Sequence, residues 1–120
     1  MAKLVLDIAH APFGHEYAYA GLFVAMAWVS IGNDVVVVMR GDGVYAARKG
    51  QGDTMKDISL PPTEKQVRDV LGEGGRIEAD RESLEIRGIK PEELVEGVGT
   101  LTPEEIRRLM MEEGERVLSL

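Results

Sequence analysis

Val35-Val36-Val37-Val38-Met39 is an unbroken apolar run whose first four residues are all β-branched. Branching at Cβ suits an extended, pleated backbone, and the lack of polar alternation means that both faces of the strand must be covered. The run therefore predicts a strand at the centre of a parallel sheet. Gly41-Asp42-Gly43 ends it, and Val44 to Arg48 has room for one helical turn.

Working back from this strand, Gly32-Asn33 is a helix stop, and residues from His15 to Ile31 are helix formers or bulky apolars. Before that helix, His10-Ala11-Pro12-Phe13-Gly14 reads as a loop, because Pro12 disfavours helix at Ala11 and Gly14 permits a tight turn. Lys3 to Ala9 is a short apolar run interrupted by Asp7, a second buried strand ending near His10.

Working forward, residues 50–62 form a loop with Pro61-Pro62 ahead of a helix from Thr63 to about Leu71. Val67, Val70 and Leu71 give that helix a narrow buried stripe. Gly72 to Gly75 breaks the chain before a strand at Arg76 to Ala79. Asp80 is expected to cap a helix from Arg81 to Arg87, ended by Gly88. Pro91 to Leu94 is a turn and Val95 to Val98 a candidate strand. Thr102-Pro103-Glu104-Glu105 combines an N-cap, a proline at the first helical position and a glutamate three residues on, with Ile106, Leu109 and Met110 as the inner face. Arg116 to Leu120 is a last strand. Strands alternate with helices, so the fold class is α/β, a mostly parallel sheet of about five strands with helices on both faces.

The 120 residues allow one domain, 1–120, since a second core would leave each half too small. The chain has no cysteine, which excludes disulfides, thiolate metal sites and a persulfide carried by this chain. Leu4-Val5-Leu6 is too short an apolar stretch for an export signal, and a cytoplasmic location is expected. One Asn, two Gln and abundant Glu form a pattern enriched in hyperthermophiles, against which the six Met residues run. The net charge of −7 arises entirely beyond residue 50, where seventeen acids face ten bases. With no basic stripe and no aromatic platform, nucleic acid is excluded as a partner.

Between Tyr17 and Ile31 apolar residues go right round the helix, where a surface helix has one apolar stripe and a polar back. The run is shorter than the roughly 20 residues of a bilayer span, so no membrane insertion is expected. Either loops of the same chain cover its outer face or a second subunit does; patches of that size usually mark an interface, and an oligomer is expected.

Several stretches resemble the DsrE/DsrF-like family, and its DsrF/TusC branch more than its DsrE/TusD branch. They are Pro12-Phe13-Gly14 after the first strand, Asp42-Gly43-Val44-Tyr45 with Lys49-Gly50-Gln51 after the second, and Glu82-Ser83-Leu84-Glu85-Ile86-Arg87-Gly88. The closing Val117-Leu118-Ser119-Leu120 fits as well. The resemblance implies a three-layer Rossmann-like domain that assembles into dimers, trimers or hexamers, with a setting in sulfur relay. In the sulfur-carrying branch a cysteine sits at the start of the helix that ends in Arg-Gly; counting back from Gly88, that place falls at or within a residue of Asp80. Aspartate cannot hold a persulfide. The resemblance thus implies a scaffold or partner, in a homo-oligomer or beside a cysteine-bearing homologue.

Open α/β sheets form ligand crevices at the carboxyl ends of their strands. That would gather His10, Phe13, Gly14, His15, Arg40, Asp42, Gly43 and Tyr45 at one rim. His10 is a candidate acid or base near neutral pH, although a structural histidine bonded to loop backbone is the simpler role. Asp80 is the other catalytic candidate. His10, His15 and Glu16 lack a metal-ligand spacing, so neither metal nor cofactor is expected. The leading reading is a non-catalytic subunit; the alternative is a small-molecule binding protein or hydrolase that uses the crevice of His10 and Tyr45.

Overall fold

A computed structural model of the chain describes residues 3–9, 17–49, 63–114 and 116–119, apart from the side chains of 17–19 and 63. Five strands form one sheet: β1 (Lys3–Ile8), β2 (Asp34–Met39), β3 (Arg76–Asp80), β4 (Gly99–Leu101) and β5 (Arg116–Ser119). Their order is β4-β3-β2-β1-β5, and every neighbouring pair is parallel. The valine run lies in the middle, as its two-sided apolarity requires, with Val35 to Met39 all buried.

Because successive side chains on a strand point to opposite faces, the sheet sorts its residues into two cores. Leu4, Leu6, Ile8, Val35, Val37, Met39, Ile77 and Ala79 face one side. Helix α1 (Tyr17–Ser30) lays Leu22 and Ala25 on that side, and α2 (Thr63–Gly72) adds Val67 and Val70. A 3-10 helix (Gly41–Ala47) and α3 (Arg81–Ile86) complete the layer through Val44, Ala46, Ala47 and Leu84. On the opposite side Val5, Val36 and Val38 meet Ile106 and Leu109, from α4 (Pro103–Arg108) and the π-helical turn Leu109–Glu113 that continues it.

Most local signals act as expected. Gly32 takes a φ of +91° behind α1, where its N–H reaches the Val29 carbonyl at 3.0 Å. The Thr102 hydroxyl accepts from Glu105 N–H while the Glu105 carboxylate accepts from Thr102 N–H, the reciprocal cap its spacing predicts. The glycines after β2 do more than stop the strand, since the 3-10 helix already begins at Gly41. Gly43 is where that helix crosses β1: a Cβ there would lie 2.1 Å from the Ile8 carbonyl oxygen, so only glycine lets the two backbones approach.

One strand is displaced from its expected place. Val95 to Val98 is not a strand; β4 begins at Gly99, opposite Glu78. Val95 instead donates from its N–H to the Ala47 carbonyl and buries its side chain in the first core, and Val98 N–H turns back to the Val95 carbonyl. Gly97, at φ +100°, then redirects the chain to the sheet edge. The β-branched pair is spent on anchoring a turn.

Helix α1 carries apolar residues on its outer surface too. Phe23 is 62% exposed and Ile31, just past the helix end, 73%. Among the described residues no helix is long and apolar enough to cross a membrane.

Candidate functional site

The register that sorts the core also places charge. Asp7, Val38 and Glu78 follow one another across β1, β2 and β3, so Asp7 belongs to the face covered by α4, as do Arg40 and Asp80 two residues further on. All three lie at the carboxyl ends of the central strands. Asp7 is 2% exposed and is held by Arg40, whose Nε donates to Oδ1 at 2.8 Å while Nη2 donates to Oδ2. Ser119 Oγ, brought alongside by the β1–β5 pairing, donates to Oδ2 at 3.4 Å. A buried carboxylate in an apolar strand requires such a partner, because an unpaired one would carry its full desolvation cost. Those hydrogen bonds to Asp7 raise the Arg40 pKa above its ordinary value against the opposing effect of burial, and the nearby Asp80 charge adds to the rise.

Asp80 ends β3 and precedes α3. It stands at the N-cap position but does not cap the helix through the backbone, contrary to the sequence expectation. Its Oδ2 accepts instead from the Ser83 hydroxyl, and Ser83 Oγ in turn accepts from Gly41 N–H at 2.9 Å. The competing hydroxyl three residues on takes the carboxylate that the backbone donors would otherwise hold. This chain of bonds ties the end of β2 to the start of α3. The other oxygen, Oδ1, is enclosed and has no hydrogen-bond partner among the described residues.

Arg40 and Asp80 form one wall of a cleft of about 410 Å³, closed by Pro103, Ile106, Arg107, Met110 and Met111 from α4 and the π-helical turn. π-turns inside helices recur at functional sites because they re-aim side chains; this one brings two methionines to the cleft mouth.

The other residues singled out in the sequence are divided by the sheet's two faces. Asp42 is exposed and accepts from Arg87 Nε and Nη2 at 3.1 and 2.9 Å, pinning α3 to the 3-10 helix. Gly43 serves backbone packing. Tyr45 is half-buried against the first core, under the helices rather than beside α4. His10, Phe13, Gly14, His15 and Glu16 lie outside the described residues. Two residues, Asp7 beneath the cleft's Arg40 and Arg107 in its lining, are not among the site candidates read from the sequence. Asp7 was visible as the charge interrupting an apolar strand, which is the signal of a buried, partnered acid; Arg107 had no signal of its own. Among the described residues no three His, Asp or Glu side chains come together to hold a metal.

An all-parallel sheet layered by helices on both faces, with its polar cluster at the carboxyl ends of the central strands, defines a Rossmann-like α/β domain. The chain belongs to the DsrE/DsrF-like family, whose profile matches residues 3–120. It is 40% identical over 89 residues to the intracellular sulfur oxidation protein DsrF of Allochromatium vinosum, covering 72% of this chain and 62% of that protein. An uncharacterized protein of Methanopyrus kandleri is 27% identical over 99 residues, covering 82% of this chain and 78% of its own length. In fold the chain matches the ychN protein from E. coli over 100% of both chains, at a TM-score of 0.88 and 22% identity. A protein of unknown function from Methanobacterium thermoautotrophicum also matches over 100% of both, at 0.73 and 18%.

Proposed function

We propose that this chain is a non-catalytic DsrE/DsrF-like subunit working in or near sulfur relay, as scaffold or partner to a cysteine-bearing chain. The observation that carries this reading is Asp80. The resemblance puts the sulfur carriers' cysteine at or within a residue of this position, at the head of α3, and no cysteine occurs anywhere in the sequence. A carboxylate offers no sulfur to oxidise to a persulfide, so any sulfur that passes here travels on another protein. Similarity to a relative named for intracellular sulfur oxidation supports the setting. The apolar outer surface of α1 supports assembly, into a homo-oligomer or beside a cysteine-bearing homologue.

The test is a transfer assay with a persulfidated, cysteine-bearing homologue and an acceptor protein. This chain should take up no sulfur alone, should co-purify with the homologue and should change the transfer rate when added. Absence of any complex together with an unchanged rate would contradict the scaffold role, as would sulfur turnover by this chain alone.

A further inference from the structure

The charges that reach the cleft between β2, β3 and α4 are not those buried behind it. Asp7 and Asp80 are 2% and 8% exposed and already held, Asp7 by the Arg40 guanidinium, Asp80 by the Ser83 hydroxyl and the nearby Arg40 charge. What faces a ligand is the pair of arginines. Arg40, its side chain 45% exposed, commits Nε and Nη2 to Asp7, and that two-point grip fixes the plane of its guanidinium. Its Nη1 has no hydrogen bond among the described residues. Arg107 reaches the cleft from the last turn of α4 and has no ion pair among the described residues, while its neighbour Arg108 is taken by Glu104 at 3.6 Å. The rest of the lining is apolar or thioether: Pro103, Ile106, Met110 and Met111.

We propose that this cleft binds a small monocarboxylate with an apolar body. The carboxylate accepts from Arg107 and from the uncommitted Nη1 of Arg40, and the body packs on Ile106 and Met110. Net charge does not select the ligand: Arg40 is balanced by Asp7, and Arg107 by Asp80, so the empty cleft is close to neutral. The donors select it. Both polar side chains exposed in the cleft offer N–H groups, and a guanidinium bonds a carboxylate about twice as strongly as a neutral acceptor, in a geometry that matches its plane. A cation would find two guanidiniums and no exposed carboxylate oxygen to match, since Asp80 is spent and enclosed. A doubly charged anion would add a second negative charge above two buried acids. Size agrees, since about 410 Å³ lies near the small end of ligand pockets. The thioethers of Met110 and Met111 are adaptable walls for an apolar body. The proposal stands on the cleft alone and is independent of the sulfur-relay reading.

The experiment is a titration of the full chain, followed by amide chemical shifts and calorimetry, with 4-methylpentanoate and three comparators: its neutral amide, isopentylamine and acetate. 4-Methylpentanoate should produce saturable shifts centred on Arg107 and Met110. It should bind at least about tenfold more tightly than the amide or the amine, the worth of one charge-assisted hydrogen bond. Acetate, which lacks the body, should bind at least about tenfold more weakly, the worth of two buried methylenes. Arg107→Gln, an exposed change that leaves the core intact, should weaken 4-methylpentanoate about tenfold and bring it level with the amide. Arg40 is left in place, because Asp7 depends on it. Failure of 4-methylpentanoate to saturate by about 10 mM would overturn the proposal, because even a weak specific site should fill there. So would equal affinity for the amide or the amine, equal affinity for acetate, or an Arg107→Gln variant that binds as the parent does.

Discussion

Replacing Arg40 by alanine removes the partner of a carboxylate that cannot reach water. Asp7 is 2% exposed, and without Arg40 its described contacts reduce to the Ser119 hydroxyl at 3.4 Å. Breaking a buried pair from the side that strands a charge costs about 3–5 kcal/mol. Total stability for a domain of this kind is about 5–15 kcal/mol, so the loss is a large fraction of it. The reverse change is gentler. Asp7→Leu frees a guanidinium whose side chain is already 45% exposed and which can turn to solvent, leaving mainly the lost hydrogen bonds, about 1–3 kcal/mol. The double variant Asp7→Leu/Arg40→Ala should be more stable than Arg40→Ala alone, because no buried charge remains. Urea unfolding followed by fluorescence of the single Trp, Trp28, which packs against the first core, would measure all three. An Arg40→Ala cost below about 1 kcal/mol, or one no larger than that of Asp7→Leu, would refute the reasoning, since the asymmetry follows directly from which partner is buried.

Two other expectations are as specific. Gly43→Ala places a methyl group 2.1 Å from the Ile8 carbonyl oxygen and 2.8 Å from its carbon, backbone atoms that cannot swing aside. It should destabilise by about 3 kcal/mol, whereas Gly72→Ala, with nothing within 4 Å, should be neutral or stabilising by about 0.5 kcal/mol in the same unfolding assay. At the head of α4, the hydrogen bond from Thr102 N–H holds the Glu105 carboxyl below its ordinary value of 4.5, helped by the Thr102 hydroxyl. A depressed folded pKa means that the favourable contribution is present above the ordinary value and is lost as pH falls through the folded one. Thr102→Ala removes the hydroxyl and keeps the backbone N–H, so the Glu105 pKa, read by carboxyl NMR titration, should rise only part of the way toward its ordinary value; a Glu105 that does not move would show that the hydroxyl adds nothing to the hold of the backbone N–H.

How much of this was legible in the sequence depended on whether the signal was local. The valine run could only be a doubly covered strand, and Thr102 to Glu105 carries its own cap, so both read correctly. Val95 and Val98 misled because β-branching marks burial as readily as extension. The real edge strand, Gly99–Leu101, is three residues long and starts with a glycine whose Cβ would collide with the Glu78 carboxylate at 2.4 Å. The Asp80 cap misled because Ser83 competes for the same carboxylate. Asp7 announced itself as a charge inside an apolar strand, but its partner lies 33 residues away and emerges only from the β1–β2 register. Arg107 belongs to the cleft solely because α4 crosses the ends of the central strands. No pattern within α4 encodes that crossing.

Whether the chain works as an assembling subunit and not as a self-sufficient carrier is decided by light scattering of the purified protein over a range of concentrations, alone and with a cysteine-bearing homologue. The expected result is a particle of at least twice the 13.2 kDa protomer mass, reduced when Phe23→Asp puts a charge on the outer surface of α1. A 13.2 kDa particle at every concentration, unchanged by the homologue, would contradict it.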